Sequence, residues 1–139
     1  MLESIPGIRH GVAVVAAEEI DRINILRATH KAMRIAVEAI VPRPDFLLVD
    51  GLPVPGLPVA SQAIVKGDAL SLLIAAASVI AKVTRDRIMD KMDARYAGYG
   101  FARHKGYGTA SHMEAIRRLG PCPIHRRTFA PVSQMTLDL

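Results

Sequence analysis

The stretch that decides the fold is Phe46-Leu47-Leu48-Val49-Asp50-Gly51, an unbroken apolar run that stops at a carboxylate and a glycine. Four apolar residues without alternation read as a strand covered on both faces, as in parallel sheets flanked by helices. Asp50 then stands at the carboxyl end of the strand, where open α/β sheets place their ligands. Gly51 lets the backbone turn away and leaves that carboxylate at the sheet edge. The plain alternative is an aspartate that simply opens the following loop. A loop does follow, because Gly51 to Pro58 holds three prolines and two glycines.

Working outward, Gln62 to Lys66 reads as a second strand, closed by Gly67-Asp68. A long helix is predicted from about Ala69 to Arg95. Leu70, Leu73, Ile74, Ala77, Ile80 and Ala81 form its buried face, and the turns from Arg85 onward reach solvent. Tyr96 to Thr109 holds four glycines and reads as a loop. Ser111 to Leu119 is a short helix ended by Gly120-Pro121, and the tail after Arg127 carries weak signals. Upstream, Gly11 to Val15 reads as a short buried strand. A helix starts at Glu18-Glu19, where acidic side chains suit the dipole, and Pro42 and Pro44 stop it. Its apolar positions are Ile20, Ile23 and Leu26, then Met33, Val37 and Ile40. Strands alternating with helices indicate an α/β layered fold with at least partly parallel pairing.

Composition narrows the class. The 139 residues are half hydrophobic and only 4% aromatic, with no Trp, which excludes disorder and leaves few rings for stacking on bases. One domain over residues 1–139 fits that length. The uncharged run Ala69 to Ala81 is shorter than the roughly 20 residues a membrane span requires. The start of the chain lacks the basic segment of a signal peptide, so the reading is a cytoplasmic protein without membrane attachment. Cys122 is the single cysteine, which excludes an internal disulfide and a cysteine-rich zinc site; between Pro121 and Pro123 it reads as structural.

The net charge of +5 is unevenly placed. Residues 1–68 carry seven Lys/Arg against eight Asp/Glu, whereas residues 69–139 carry eleven against five. Between Arg95 and Arg127 seven basic residues face only Glu114, with His104, His112 and His125 among them. A one-sided basic region is what a polyphosphate partner needs; the bland alternative is a solvated surface.

Asp68 repeats the pattern of Asp50, with the alternative that it merely caps the next helix. Two carboxylates ending neighbouring strands are the hard oxygen donors that divalent cations require. Such cations activate a water and stabilise a leaving oxygen in phosphodiester cleavage. Asp86, Asp90 and Asp93 fall on the solvated half of a helix and add nothing there. In His104-Lys105-Gly106-Tyr107-Gly108-Thr109 the glycines let backbone approach a phosphate and the tyrosine offers a flat ring. An exposed turn is the simpler reading of that stretch. His125-Arg126-Arg127 reads either as a phosphate contact or as surface.

The order of the blocks is more telling than any one of them. Glu19-Ile20-Asp21, Val49-Asp50-Gly51 and Lys66-Gly67-Asp68 are followed by Ala75 through Asp86 (AAASVIAKVTRD) and by His104 through Thr109 (HKGYGT). Gly120-Pro121, His125-Arg126-Arg127 and Phe129-Ala130-Pro131 complete the series. From about Glu18 to Val132 the chain resembles bacterial type 2 ribonuclease H, ribonuclease HII. The resemblance implies a ribonuclease H-like layered α/β fold, here with an incomplete mixed sheet and flanking helices. It implies an endonuclease that cuts the RNA strand of RNA–DNA hybrids and nicks duplex DNA at single embedded ribonucleotides, leaving a 5′-phosphate and a 3′-hydroxyl. By motif, Asp50 and Asp68 match two of the four acidic residues that hold Mn²⁺ or Mg²⁺ in the family. Tyr107 matches the tyrosine that stacks on the deoxyribose beyond the ribonucleotide. Lys105, Gly106, Arg126 and Arg127 join it as expected substrate contacts, inferred from charge and loop chemistry. The other reading is a non-catalytic basic remnant that binds nucleic acid, and no protein partner is implied.

Family members also carry an upstream D-E-A-G-R-G segment that supplies the first two carboxylates, and a D-S-K-K-L block. This sequence begins just before the E-I-D block and contains neither. The expectation is therefore the later portion of such a domain, with exposed apolar faces, weak metal binding and little activity alone.

Overall fold

The computed structural model describes residues 6–137. The chain divides into two compact units, one of residues 1–15 and 26–82 and the other of residues 16–25 and 83–139.

In the first unit, α2 (Ile25–Glu38) leads through the prolines to β1 (Leu47–Asp50), then β2 (Ser61–Ile64), the single turn α3 (Gly67–Leu70) and the start of α4 (Leu72–Arg95). The two strands pair in parallel, with Asp50 opposite Ile64, so the pairing expected from the unbroken apolar run is present. The strands are short and the cover is one-sided. Val49 is buried while Phe46 and Leu48 on the neighbouring positions are exposed. The expectation of cover on both faces therefore fails, because the described residues bring no second layer to that side. The second strand also ends earlier than predicted: Lys66 adopts a left-handed φ of 56°, which turns the chain into α3.

The long predicted helix is interrupted at Ser71, whose extended backbone separates α3 from α4. Of its predicted buried face only Ile74 and Ile80 are buried; Leu70 and Leu73 are about three-quarters exposed, at 75% and 74%. Each such leucine forgoes about 1.5–3 kcal/mol of burial, and with Leu52, Val65 and Leu72 they form the exposed apolar surface expected above. Gly11 to Val15 is not a buried strand. It is unpaired among the described residues, with Val12 and Val14 facing out. It instead lies against α2, where a side chain at Gly11 would collide with the Ala36 carbonyl oxygen at 2.0 Å.

The second unit holds α1 (Ala17–Ile23), the part of α4 from Val83, α5 (Phe101–His104), α6 (Ala110–Leu119) and α7 (Ala130–Leu137). A single helix was expected through α1 and α2, but Asn24, at a φ of 70°, breaks it. The main buried cluster is here: Tyr99, Phe101, Ala115, Ile116, Cys122 and Val132, with Met89 and Met92 of α4 packed on it. The end of α4 is thus partly buried, contrary to the expectation of a solvated end, because its methionines lie on the face toward Phe101. Tyr99 and Phe101 stack at 5.3 Å, and the Tyr99 hydroxyl donates to the Gly120 carbonyl at 2.6 Å. Tyr96 packs against this cluster, whereas Phe46, Tyr107 and Phe129 are exposed. α6 starts and stops as read: Thr109 accepts from the His112 amide, and Gly120 closes the helix at a φ of 75°. The glycine-rich stretch before it contains the one-turn α5, and the weakly marked tail forms α7, whose Val132 is buried.

Candidate nuclease site

At the carboxyl edge of the parallel pair, Asp50 is the last residue of β1 and its side chain is exposed. Its Oδ1 accepts from the Gly67 amide at 2.7 Å. Gly67 is buried under that carboxylate, and a side chain at this position would meet Ile74 Cδ1 at 2.6 Å and Asp50 Oδ1 at 3.4 Å. The glycine is therefore what lets α3 start directly beneath Asp50. Asp68 follows Gly67 at the first turn of α3 and is exposed. It makes no capping hydrogen bond, since Lys66 holds the cap position without a side-chain bond. Asp50 thus ends β1 with one oxygen left over after the Gly67 bond, and Asp68 is the next residue in the chain after Gly67. They are the hard donors a divalent cation accepts, and Mg²⁺ commonly takes one or two carboxylates with waters and substrate phosphates. Among the described residues, no group of three or more His, Cys, Asp or Glu side chains gathers to hold a metal.

In the second unit, Tyr107 is 59% exposed, and its ring is held by Arg85. The Arg85 guanidinium donates to the Tyr107 hydroxyl at 2.7 Å and lies 4.5 Å from the ring centroid, while its other nitrogens bind Asp86. Such a cation over a ring contributes about 0.5–1 kcal/mol at exposed sites. Lys105 is ion-paired to Asp90. The Gly106 amide donates to His104 Nδ1 at 3.2 Å, so it is already used within the turn. Arg126 lies over the Phe129 ring at 4.5 Å, and Arg127 is exposed.

Two features escaped the sequence reading. Asp21 of α1 accepts from the Arg127 amide at 2.7 Å, and from the Thr128 amide at 3.1 Å and hydroxyl at 2.5 Å, fixing the basic segment. Desolvation opposes this, but the Thr128 and Arg127 hydrogen bonds win and hold the Asp21 carboxyl below its ordinary range. The pairing joins residues more than a hundred positions apart, beyond any local signal. The second feature is that His104, His112 and His125 are buried, at 6%, 4% and 8%, and do not belong to the basic surface. Burial lowers the pKa of His112, with His104 adding to the effect, and that of His125, with the neighbouring His112 and His104 adding to it. The spacing H-x₇-H-x₁₂-H within a run otherwise of arginines gave no hint of burial; only the adjacency to Phe101 and Cys122 could have.

A short parallel pair that presents a carboxylate at its edge, with α3 packed on β1, is an α/β arrangement. The structure is similar to the crystal structure of the ribonuclease H2 from Pyrococcus horikoshii OT3, with a TM-score of 0.72 and 26% identity, covering 89% of this chain and 66% of that one. The ribonuclease HII family profile matches residues 8–132, and the chain belongs to that family. It is 64% identical over 125 residues to the ribonuclease HII of Geobacter sulfurreducens, covering 89% of this chain and 57% of the relative. It is 58% identical to that of Geobacillus kaustophilus (90% and 48%) and 48% identical to that of Syntrophomonas wolfei (94% and 51%). The chain therefore spans about half the length of these relatives. No described helix is long and apolar enough to cross a membrane.

Proposed function

We propose that this chain works as part of an endoribonuclease that hydrolyses the RNA strand of RNA–DNA hybrids and incises duplex DNA at single ribonucleotides. The observation that supports the reading is the Asp50–Gly67 hydrogen bond, which ties Asp50 to the residue before Asp68 in a chain of the ribonuclease HII family. Asp50 and Asp68 would hold Mn²⁺ or Mg²⁺, and the ion would supply Lewis acidity at the scissile phosphate and a more acidic water. Asp50 keeps one oxygen on the Gly67 amide, so its orientation is fixed before any ligand arrives. Tyr107, steadied by Arg85, offers its ring to the sugar next to the ribonucleotide. The 2′-hydroxyl is what distinguishes that ribonucleotide from its DNA neighbours. Arg126 and Arg127 meet the phosphate backbone, and Lys105 does so on exchanging Asp90 for a phosphate. In the reaction water adds to phosphorus, the bond to the 3′-oxygen breaks, and that oxygen takes up the proton.

The test is incision of a duplex carrying one ribonucleotide, with Mn²⁺, by the 139-residue chain and by Asp50→Asn and Asp68→Asn. Slow metal-dependent incision lost in both variants is expected, slow because the two carboxylates bind the ion weakly. Incision that persists in Asp50→Asn overturns the assignment. Salt-dependent binding to the duplex with no metal-dependent cut at all favours the non-catalytic reading, for which the basic balance of residues 69–139 speaks.

A further inference from the structure

The turn Lys105 to Thr109 rests on the three buried histidines. With His112 and His125 neutral the hydrogen bonds select one arrangement of the protons on that pair, although His125 Nδ1 also lies 3.1 Å from the Cys122 Sγ and 3.3 Å from its carbonyl oxygen. His112 Nδ1 lies 2.9 Å from the Tyr107 carbonyl oxygen. A carbonyl has no proton to give, so His112 Nδ1 carries the hydrogen and donates. A neutral His112 then has a lone pair on Nε2, which lies 3.0 Å from His125 Nε2. His125 must therefore donate from Nε2 and keep a lone pair on Nδ1. That lone pair meets the Cys122 amide, which donates to it at 3.0 Å. The chain of donors runs Cys122 amide, His125, His112, Tyr107 carbonyl, with every link satisfied. His104 stacks on His112 at 4.1 Å and holds the ring plane. Its own Nδ1 accepts from the Gly106 amide, and its Nε2 bonds the Tyr99 carbonyl at 2.8 Å. The Tyr107 amide in turn donates to the His104 carbonyl at 2.9 Å. Both peptide groups of Tyr107 are thus tied to this stack, while its ring is tied to Arg85.

We propose that His112, locked by His125, is a positioning residue that fixes the Tyr107 backbone so that the ring stands ready for the sugar at an RNA–DNA junction. The inference rests on the reading of Tyr107 given under Proposed function. Reversing the His112 ring removes its donor from the Tyr107 carbonyl, which then keeps only the Thr109 amide at 2.8 Å, so the turn loses its tie to the histidine stack.

Substitution separates the two roles. In His112→Asn the side-chain amide nitrogen takes the place of Nδ1 and still reaches the Tyr107 carbonyl, but the link to His125 is gone. In His112→Gln the amide lies at the Nε2 level, so the link to Tyr107 is lost. Both variants lose stability. The measurement is the ratio of affinities for a duplex with one ribonucleotide and for the all-DNA duplex, in Ca²⁺ to prevent cutting. The expected result is a ratio near that of the parent chain in His112→Asn, and a ratio reduced about three- to tenfold in His112→Gln, the value of one hydrogen bond. Equal ratios in the two variants overturn the proposal. Nitrogen NMR of histidine-labelled parent chain reads the tautomers without any variant: His112 protonated at Nδ1 and His125 at Nε2 supports the relay, and the opposite assignment overturns it. A parent chain that shows no preference for the ribonucleotide overturns the functional reading and the purpose assigned to His112, whereas the NMR result still reports separately whether the relay exists.

Discussion

Replacing Asp50 in two ways separates what its oxygen does from what its charge does. Oδ1 accepts from the Gly67 amide at 2.7 Å, and Gly67 starts α3 beneath the strand edge. Asp50→Asn keeps a carbonyl oxygen in that place, so the turn survives and only the charge is lost. Asp50→Ala removes the acceptor and leaves the part-buried Gly67 amide unpaired. A hydrogen bond to a charged acceptor contributes about 1.5–3 kcal/mol when shielded, but Asp50 is exposed to solvent, so about 1 kcal/mol is the appropriate size after screening. That corresponds to a loss of about 3–6 °C in Tm for a chain of this size. Hydrogen exchange at the Gly67 amide is the assay. Protection persists in Asp50→Asn and falls about fivefold in Asp50→Ala. Mn²⁺ added to either variant no longer broadens the Gly67 and Asp68 amide signals that it broadens in the parent chain. Equal exchange in the two variants refutes the hydrogen-bond argument, and undiminished broadening in Asp50→Asn refutes Asp50 as a metal donor.

Three further outcomes follow from the second unit. Arg85→Lys keeps the charge but loses the planar contact with the ring and hydroxyl of Tyr107; preference for the ribonucleotide duplex drops several-fold, while the salt dependence of binding, measured by titration, stays the same. Because His112 and His125 titrate below their ordinary 6.5 when folded, the unfolded chain binds more protons just below that pH. Stability is therefore full above about pH 7 and declines as pH falls through 6.5, as denaturant melts at several pH values will register; the groups around this pair are His104, Tyr99 and Cys122, and burial moves the Tyr99 hydroxyl and the Cys122 thiol further above that window. Asp21→Ala frees the Arg127 and Thr128 amides, so trypsin cuts after Arg126 and Arg127 faster, with little change elsewhere in the chain.

Much of the local structure around the candidate site was legible because its signals are local. An apolar run ending in Asp50-Gly51 and a second ending in Gly67-Asp68 are punctuation that survives any packing, and Thr109 and Gly120 mark α6 by their own backbone chemistry. What lay hidden depends on pairs distant in sequence. The bond from Gly67 to Asp50 needs the register of β1 on β2, and Asp21 on Arg127 needs two ends of a unit to meet. The periodicity of α4 predicted a buried stripe, yet a stripe records what a helix can bury, and Leu70 and Leu73 find nothing to bury against among the described residues. The three histidines misled most. Set among arginines they read as surface charge, whereas Phe101 and Cys122 draw them into an apolar cluster where each ring is hydrogen-bonded.

The chemistry of the cut ends tests the central claim most directly. A duplex with one ribonucleotide is incubated with the chain and Mn²⁺, and the new termini are identified by mass spectrometry. The account predicts a 3′-hydroxyl and a 5′-phosphate, absent when Asp50→Asn replaces the parent, because an added water must attack with the carboxylates holding its metal. A 2′,3′-cyclic phosphate would contradict it, since the ribonucleotide's own 2′-hydroxyl would then have been the nucleophile and Asp50 would have had no part.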